Sequence, residues 1–383
     1  MPSENTSPKI CWLFCNVIDN FGDIGVSWRL AQMLTRELGW QVHLWVDDTA
    51  ALRALCPDLP ATPCTHQHIT VRTWQAERAE GLDNAPPPHI VIETFACDLP
   101  PDVLAIIRQH RPLWLNWEYL SAEDSNEKLH ALPSPQADGL QKYFWFMGFS
   151  ERSGGLLREQ DYETRCLFDE HTFRKTLQLP AKTAPEWLLF GYHSPVWTEW
   201  LTMWQQAGQP ITLLLAGNQI IESLKTAGAI PQNALTESGS VFQTASVQLV
   251  KIPFIPQSDF DRLLHLSDGL IIRGEDSFVR AQFAAKPFFW HIYLQEESVH
   301  IEKLHAFWHK AYAHYPDNIQ TAHQALSDEL NGARSLTPVQ RLKAWQTLQP
   351  HADEWRQSVA DWKNTLFKQP SAIEKLAKFI ERR

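Results

Sequence analysis

The sequence predicts an α/β protein made of two Rossmann-like halves facing a cleft, and three observations predict it. Short apolar runs alternate with segments of helical period from residue 9 to about 117, the alternation lapses over a Pro- and Gly-bearing stretch from 133 to 185, and it restarts at residue 186. Strands alternating with helices imply a parallel, doubly wound sheet covered on both faces. A chain of 383 residues holds two such cores. The expected division is 1–183 and 184–362, with a C-terminal helix from about 363 to 383 packing back on the first half. The crevice between two such domains is the default ligand site.

In the first half, KICWLFCNVI (9–18) reads as a buried strand, VSWRLAQMLTREL (26–38) as a helix ended by Gly39, and WQVHLWVDD (40–48) as the next strand. A helix near 50–56, a strand around ITVRTW, a strand HIVIETF (89–95), a helix PDVLAIIRQH (101–110) and a strand PLWLNWE follow. FSERSGGLLRE reads as a loop. The second half gives strands EWLLFGYHS (186–194), PITLLLAGN (210–218), VQLVKIPFI (247–255), DGLII (268–272) and KPFFWHIY. Helices are expected at about 196–207, near 219–227, over SDFDRLLHLS, after Ser277, and through the tail from Leu336.

Composition narrows the function. Hydrophobic residues make up 44% and charged residues 20%, as in a globular protein; no apolar run reaches the 18 residues a spanning helix needs, and the N-terminus lacks a secretory pattern. The expectation is a cytoplasmic protein with no membrane partner. A formal charge of −10 argues against nonspecific nucleic-acid binding, which requires a basic face. Six cysteines without a CxxC pair imply neither zinc nor disulfides. Most of the seventeen tryptophans are expected in cores, but Trp114, Trp117 and Tyr119 follow a strand pattern closely enough to line a cleft.

Two strand-to-helix junctions carry the chemistry. Arg273-Gly274-Glu275-Asp276-Ser277-Phe278 connects the DGLII strand to a helix. A helix N-terminus there offers outward backbone N–H groups and about half a positive charge, enough to hold a phosphate or pyrophosphate, with the Ser277 hydroxyl as a further donor. The plain alternative makes Asp276 or Ser277 an N-cap. The other junction, Asn16 to Gly25, contains glycines but no G-x-G-x-x-G, and its Asp19 and Asp23 stand where a dinucleotide pyrophosphate would approach. Carboxylates there repel phosphate, so a nicotinamide oxidoreductase is disfavoured despite Asp47 and Asp48 near the ribose distance. Asp19 and Asp23 read either as turn and capping residues or as a carboxylate pair able to orient and deprotonate an acceptor.

Taken together, VIDNFGDIGVSWRLA, PFIPQSDFDRLLHLSD and RGEDSFVRAQFAAKPFFWHIYLQEE resemble the EarP family of bacterial protein-arginine rhamnosyltransferases, and the resemblance spans nearly the whole chain. It implies a type B glycosyltransferase fold, dTDP-β-L-rhamnose as donor, and an arginine of translation elongation factor P as acceptor, modified with inversion. It implies no cofactor, and the helix terminus offers a diphosphate site without a metal. Donor contacts would come from Tyr192, Phe254, Gln257, Arg273, Asp276, Ser277 and Tyr293, with the loop of Phe254 and Gln257 recognising the pyrimidine. The acceptor side would hold Asn16, Phe21, Gly22, Trp117 and Glu118. A guanidinium with a pKa above about 12 is a poor nucleophile until deprotonated or polarised, so carboxylates must contact it. The resemblance marks Asp19, Asp23 and Glu275: Asp19 is the preferred base, Asp23 the orienting acid, and Glu275 positions the guanidinium or contacts the sugar. A type B glycosyltransferase for a small molecule or lipid is the nearest alternative.

Overall fold

The computed structural model describes residues 7–18, 21–136, 139–295 and 298–383. The chain divides into two compact units, one of residues 1–160 with 369–383 and one of 161–368.

The first unit runs β1 (Ile10–Cys15), α1 (Gly22–Leu38), β2 (Gln41–Val46), α2 (Thr49–Leu55), β3 (Cys64–His66), β4 (Ile69–Gln75), β5 (Arg78–Ala79), β6 (Ile90–Thr94), α3 (Pro101–His110), β7 (Leu113–Ser121), α4 (Asp124–Leu129), β8 (Pro133–Pro135) and β9 (Gln141–Gly148). Its sheet has the order β3-β4-β2-β1-β6-β7-β9-β8, with β1, β2, β4, β6, β7 and β9 mutually parallel and β3 and β8 antiparallel at the edges. The strands crossing the middle are apolar on both faces because helices cover both. On one face Trp12, Phe14, Trp45, Trp74 and Val91 form a continuous core, in which the Phe14 and Trp45 rings stack at 4.9 Å. Each such side chain contributes about 1.5–3 kcal/mol by leaving water. Gly39 ends α1 in the left-handed conformation at φ 67°, and the Trp40 N–H returns to the Leu34 carbonyl at 3.2 Å.

The second unit runs α5 (Tyr162–Arg165), α6 (Glu170–Thr176), β10 (Glu186–Phe190), α7 (Val196–Ala207), β11 (Ile211–Leu215), α8 (Gln219–Thr226), β12 (Val241–Thr244), β13 (Val247–Lys251), α9 (Phe260–Leu266), β14 (Gly269–Arg273), α10 (Asp276–Phe283), β15 (Phe288–His291), α11 (Val299–Ala311), α12 (Asp317–Leu330), α13 (Pro338–Leu348) and α14 (Ala352–Phe367). Its sheet order is β12-β13-β11-β10-β14-β15, parallel except for the edge strand β12. The last helix, α15 (Ala372–Glu381), belongs to the first unit. It opens on a Ser371/Glu374 capping box. The Ala372 N–H bonds to the Leu156 carbonyl at 2.8 Å, and Phe379 meets Tyr143 and Trp145 edge-on.

Several boundaries differ from the sequence reading. The units divide at Gln160 rather than at 183, because residues 161–179 pack on the second unit: Tyr162 lies edge-on to Phe283 and Phe367, and Arg174 forks onto Glu186 with two 2.7 Å bonds. The returning segment starts at Gln369, not near 363. Helix α1 begins at Gly22, four residues ahead of Val26, where it begins on its pattern alone. Strand β9 lies inside the stretch read as irregular; its flanking Pro and Gly hid it, although it pairs with β7 over most of its length.

Candidate active site

In the first unit the site grows from the parallel ends of β1, β2 and β6. Directly after β1, the chain is fastened by Asp47, which follows β2: one Asp47 oxygen accepts from Asn16 Nδ2 at 2.6 Å and the other from the Val17 N–H at 2.9 Å. Asp48 caps α2, accepting from Ala50 and Ala51 N–H. These two acids therefore serve loop anchoring and capping rather than a ribose contact. Asp19 and Asn20 lie outside the described residues.

Asp23 is 2% exposed, in the first turn of α1. It is not the N-cap: that position is Phe21, which has no side-chain cap, and whose carbonyl accepts from Gly25 N–H at 2.9 Å. Gly22 is the first helical residue. Instead the Asp23 carboxylate reaches backwards and sideways. Its Oδ2 accepts from the Ile18 N–H at 2.8 Å, closing the loop that contains Asp19, and its Oδ1 accepts from the Tyr119 hydroxyl at 3.3 Å. Ser27 Oγ bonds to the Asp23 carbonyl at 2.8 Å and lies 3.1 Å from Thr94 Oγ1, which bonds to the Phe14 carbonyl. The carboxylate is thus held from the loop after β1 and from β7, and its backbone carbonyl from within α1. A buried carboxylate at a helix N-terminus is favoured by the dipole and by its donors.

Tyr119 sits at an irregularity in the β7–β9 pairing between Glu118 and Ser121, so its ring turns outward, 39% exposed, and stacks on Phe95 at 4.2 Å. Phe95 and Ala96 both have left-handed backbones, φ 59° and 53°, as the chain turns sharply out of β6. A cavity of about 530 Å³ lies at this end of the sheet, bounded by Asn16, Ile18, Asp47, Thr94, Phe95 and Asp98. Glu118 is half-buried and accepts from Asn116 Nδ2 at 2.5 Å. Trp117 corrects the sequence reading: it is fully buried, stacked on Trp145 at 5.7 Å, and lines no cleft. Trp114, 6% exposed and bonded to Glu93, is likewise core. The aromatic residue that does reach the surface is Tyr119.

In the second unit β14 ends at Arg273, and Gly274 turns the chain into α10 at φ 74°, a conformation suited to glycine. The Gly274 carbonyl accepts from Trp290 Nε1 at 3.0 Å, and Trp290 stacks on Phe278 at 3.9 Å, so the turn is anchored to β15. The N-cap of α10 is Glu275, not Asp276 or Ser277 as the capping alternative had it. The first ladder bond runs from Val279 N–H to the Glu275 carbonyl at 2.9 Å, so the N–H groups of Asp276, Ser277 and Phe278 precede the ladder. Glu275 has no capping bond; its Oε1 lies 2.5 Å from Lys303 Nζ of α11, a partner the sequence reading missed.

Around this turn the guanidinium of Arg273 lies 4.5 Å from the Phe190 ring and 4.9 Å from that of Tyr192, a cation stacked on two aromatic faces. Tyr192 meets Tyr293 and His291 edge-on, each at 5.5 Å, and its N–H bonds to His291 Nδ1. Burial, aided by the charge of Arg273, pushes the His291 pKa down to about 3, so this imidazole is neutral. Gly191 precedes Tyr192 because a Cβ there would stand 2.4 Å from Trp197. Phe254 and Tyr293 are exposed, 59% and 55%. Gln257 opens a short turn, and its carbonyl accepts from Arg280, whose other bonds fork onto Asp261 at 2.7 and 2.8 Å. The junction therefore presents backbone donors, a fixed cation and exposed aromatics, a set suited to a diphosphate joined to a flat base. Among the described residues the one group of His, Cys, Asp and Glu close enough to hold a cation is Cys56, Asp58 and His66, none of them in these junctions.

Residues 11–381 match the family of elongation-factor P (EF-P) rhamnosyltransferases, EarP. The chain is 66% identical over 378 residues to a protein-arginine rhamnosyltransferase of Neisseria meningitidis serogroup B, covering 99% of this chain and 98% of that one. It is 38% identical to the protein-arginine rhamnosyltransferase of Pseudomonas aeruginosa, covering 96% and 97%. A solved structure on EarP-mediated arginine glycosylation of translation elongation factor EF-P superposes with a TM-score of 0.67 at 26% identity, over 97% of this chain and 99% of that one. The glycosyltransferase of kitacinnamycin, at 10% identity and a TM-score of 0.52 over 98% of each chain, shares the fold alone. Both units have the Rossmann-like architecture of type B glycosyltransferases, and the chain belongs to the EarP family of protein-arginine rhamnosyltransferases.

Proposed function

We propose that this protein transfers L-rhamnose from dTDP-β-L-rhamnose to an arginine side chain of translation elongation factor P, with inversion and without a metal, in the cytoplasm. The observation that carries the acceptor half is Asp23, a buried carboxylate in the first turn of α1 held by Ile18 N–H and Tyr119 OH. Family membership supplies the cation, an arginine guanidinium. Asp19 takes a guanidinium proton as the nitrogen attacks the anomeric carbon, Asp23 orients the cation, and the bond to the diphosphate breaks on the opposite face. The departing diphosphate gains negative charge, and the first-turn N–H groups of α10 with Ser277 stabilise it. Arg273 adds a fixed positive charge beside it. Phe254 stacks on the thymine and Gln257 bonds its edge, while Glu275, held by Lys303, positions the sugar or the incoming guanidinium.

No helix among the described residues is long and apolar enough to cross a membrane, which suits a protein acceptor. The direct test is the intact mass of elongation factor P after incubation with this protein and dTDP-β-L-rhamnose. A gain of one deoxyhexose, localised to an arginine, is expected; an unchanged mass under conditions where the donor binds contradicts the assignment. A folded acceptor domain should also be modified far faster than a short arginine peptide, since a guanidinium alone offers too little contact to select one side chain.

A further inference from the structure

At the far edge of the first unit's sheet, Cys56 ends α2, Asp58 follows two residues later, and His66 stands on the edge strand β3. Cys56 Sγ lies 3.1 Å from Asp58 Oδ1 and 3.4 Å from His66 Nε2, and His66 Nε2 lies 3.4 Å from Asp58 Oδ2. A tetrahedral zinc ion with bonds of about 2.0–2.3 Å spaces its N, O and S ligands by about 3.3–3.6 Å, close to this triangle. Without a cation the Cys56 thiol donates to Asp58 Oδ1 and the Gln67 amide to His66 Nε2, weak contacts that a bound cation would displace. Gln67 Oε1 accepts from Gln32 and from Arg36, and arginine has only donors, so the Gln67 amide N–H₂ must be the group 3.3 Å from His66 Nε2. That makes Nε2 the lone-pair nitrogen, the form that ligates a metal. A lone pair, a carboxylate and a sulfur then converge with one thiol proton among them.

We propose that Cys56, Asp58 and His66 bind a divalent cation of the zinc class, which staples the end of α2 to the edge strand β3. Thiolate with imidazole and carboxylate is a donor set that selects zinc over magnesium or calcium. The Trp28 ring lies parallel to the imidazole at 6.2 Å, on the inner side of His66. Cys64, two residues before His66 on β3, is not among the converging atoms, which leaves the fourth position to water. His66 pairs with Ile69, and Ile69 with Val42, at the start of β2, whereas the catalytic loop leaves the sheet beside Val46. Four strand residues, about 13 Å, separate the two ends. The cation is therefore structural, and donor binding stays independent of it.

The test uses the full-length protein, stripped with chelator under reducing conditions and titrated with cobalt(II), then zinc. One equivalent of cobalt should give a thiolate-to-cobalt charge-transfer band that zinc displaces, and zinc should raise the melting temperature by a few degrees. Cys56→Ser should abolish the band. Asp58→Ala, at a side chain 71% exposed and so safe for folding, should weaken cobalt affinity tenfold or more. No band with the native protein, or a band of native affinity in both variants, overturns the proposal.

Discussion

Two strand-to-helix junctions of the same architecture, one in each unit, do opposite electrostatic work. At the first, β1 into α1, the helix N-terminus is filled by the protein's own carboxylate: Asp23 sits in the first turn and accepts from Ile18 and Tyr119. At the second, β14 into α10, a left-handed Gly274 and an N-cap without a capping bond leave the first-turn amides ahead of the helix ladder, with Arg273 stacked alongside. The partial positive charge of a helix start is common to both. Under the proposed function, the junction answered from within presents negative charge to the acceptor cation, and the other receives the donor's diphosphate. On that proposal, a doubled Rossmann unit would supply a guanidinium grip and a diphosphate grip by changing one loop.

The contrast can be tested at each junction. The largest effect is expected at Asp19: Asp19→Asn should lower turnover by about 100-fold or more, the usual scale for a general base, with dTDP-rhamnose affinity unchanged. Stopped assays at saturating donor decide it, and a near-native rate removes Asp19 from the chemistry. On the other junction, Phe254→Ala, Gln257→Ala and Ser277→Ala should each weaken donor binding by about 1–3 kcal/mol, the loss of one stack or hydrogen bond, and calorimetry giving native affinity for all three contradicts the anion role. Chelator should leave that affinity intact.

Acidification should weaken both units. Burial lowers the pKa of His291 and His323 in the second unit to about 3, and that of His43 and His130 in the first to about 4. The unfolded chain takes up these protons near pH 6.5 while the folded chain does not, so the contribution of each neutral histidine is complete above pH 6.5 and declines as pH falls toward 3–4. Each should cost on the order of 1 kcal/mol per pH unit in that window. Two such groups in each unit predict that both units lose stability together between pH 7.5 and 5.5; urea melts at the two pH values read this, and a loss confined to one unit counts against it. The smallest effect is Gly274→Ala. The added Cβ meets nothing within 4 Å, but φ 74° strains any L side chain by roughly 1 kcal/mol, so donor affinity should drop only a few-fold.

The sequence reading succeeded where signals are local. Helices α3 and α7 have the spans 101–110 and 196–207 that their periodicity predicts, and the two junctions are legible as motifs. It fell short where a neighbour distant in sequence decides. Asp47 anchors Val17 from 30 residues away, Tyr119 reaches Asp23 from 96, and Lys303 engages Glu275 from 28, none of which spacing reveals. Trp117 was misplaced because alternation along β7 says nothing of the Trp145 ring waiting on the neighbouring strand. The cation triangle was invisible because its ligands, at 56, 58 and 66, match no standard zinc spacing.

The central claim, that the acid of the first junction acts on the acceptor and not on the donor, is tested most directly at Asp23, whose geometry is fixed. Asp23→Asn keeps the shape but faces an amide, in place of a carboxylate, toward the guanidinium. Single-turnover rates at saturating dTDP-rhamnose, paired with calorimetric donor affinity, separate the two roles. The account predicts a rate lower by about 100-fold with donor affinity within about twofold of native. A near-native rate, or a rate loss matched by an equal loss of donor affinity, would contradict it.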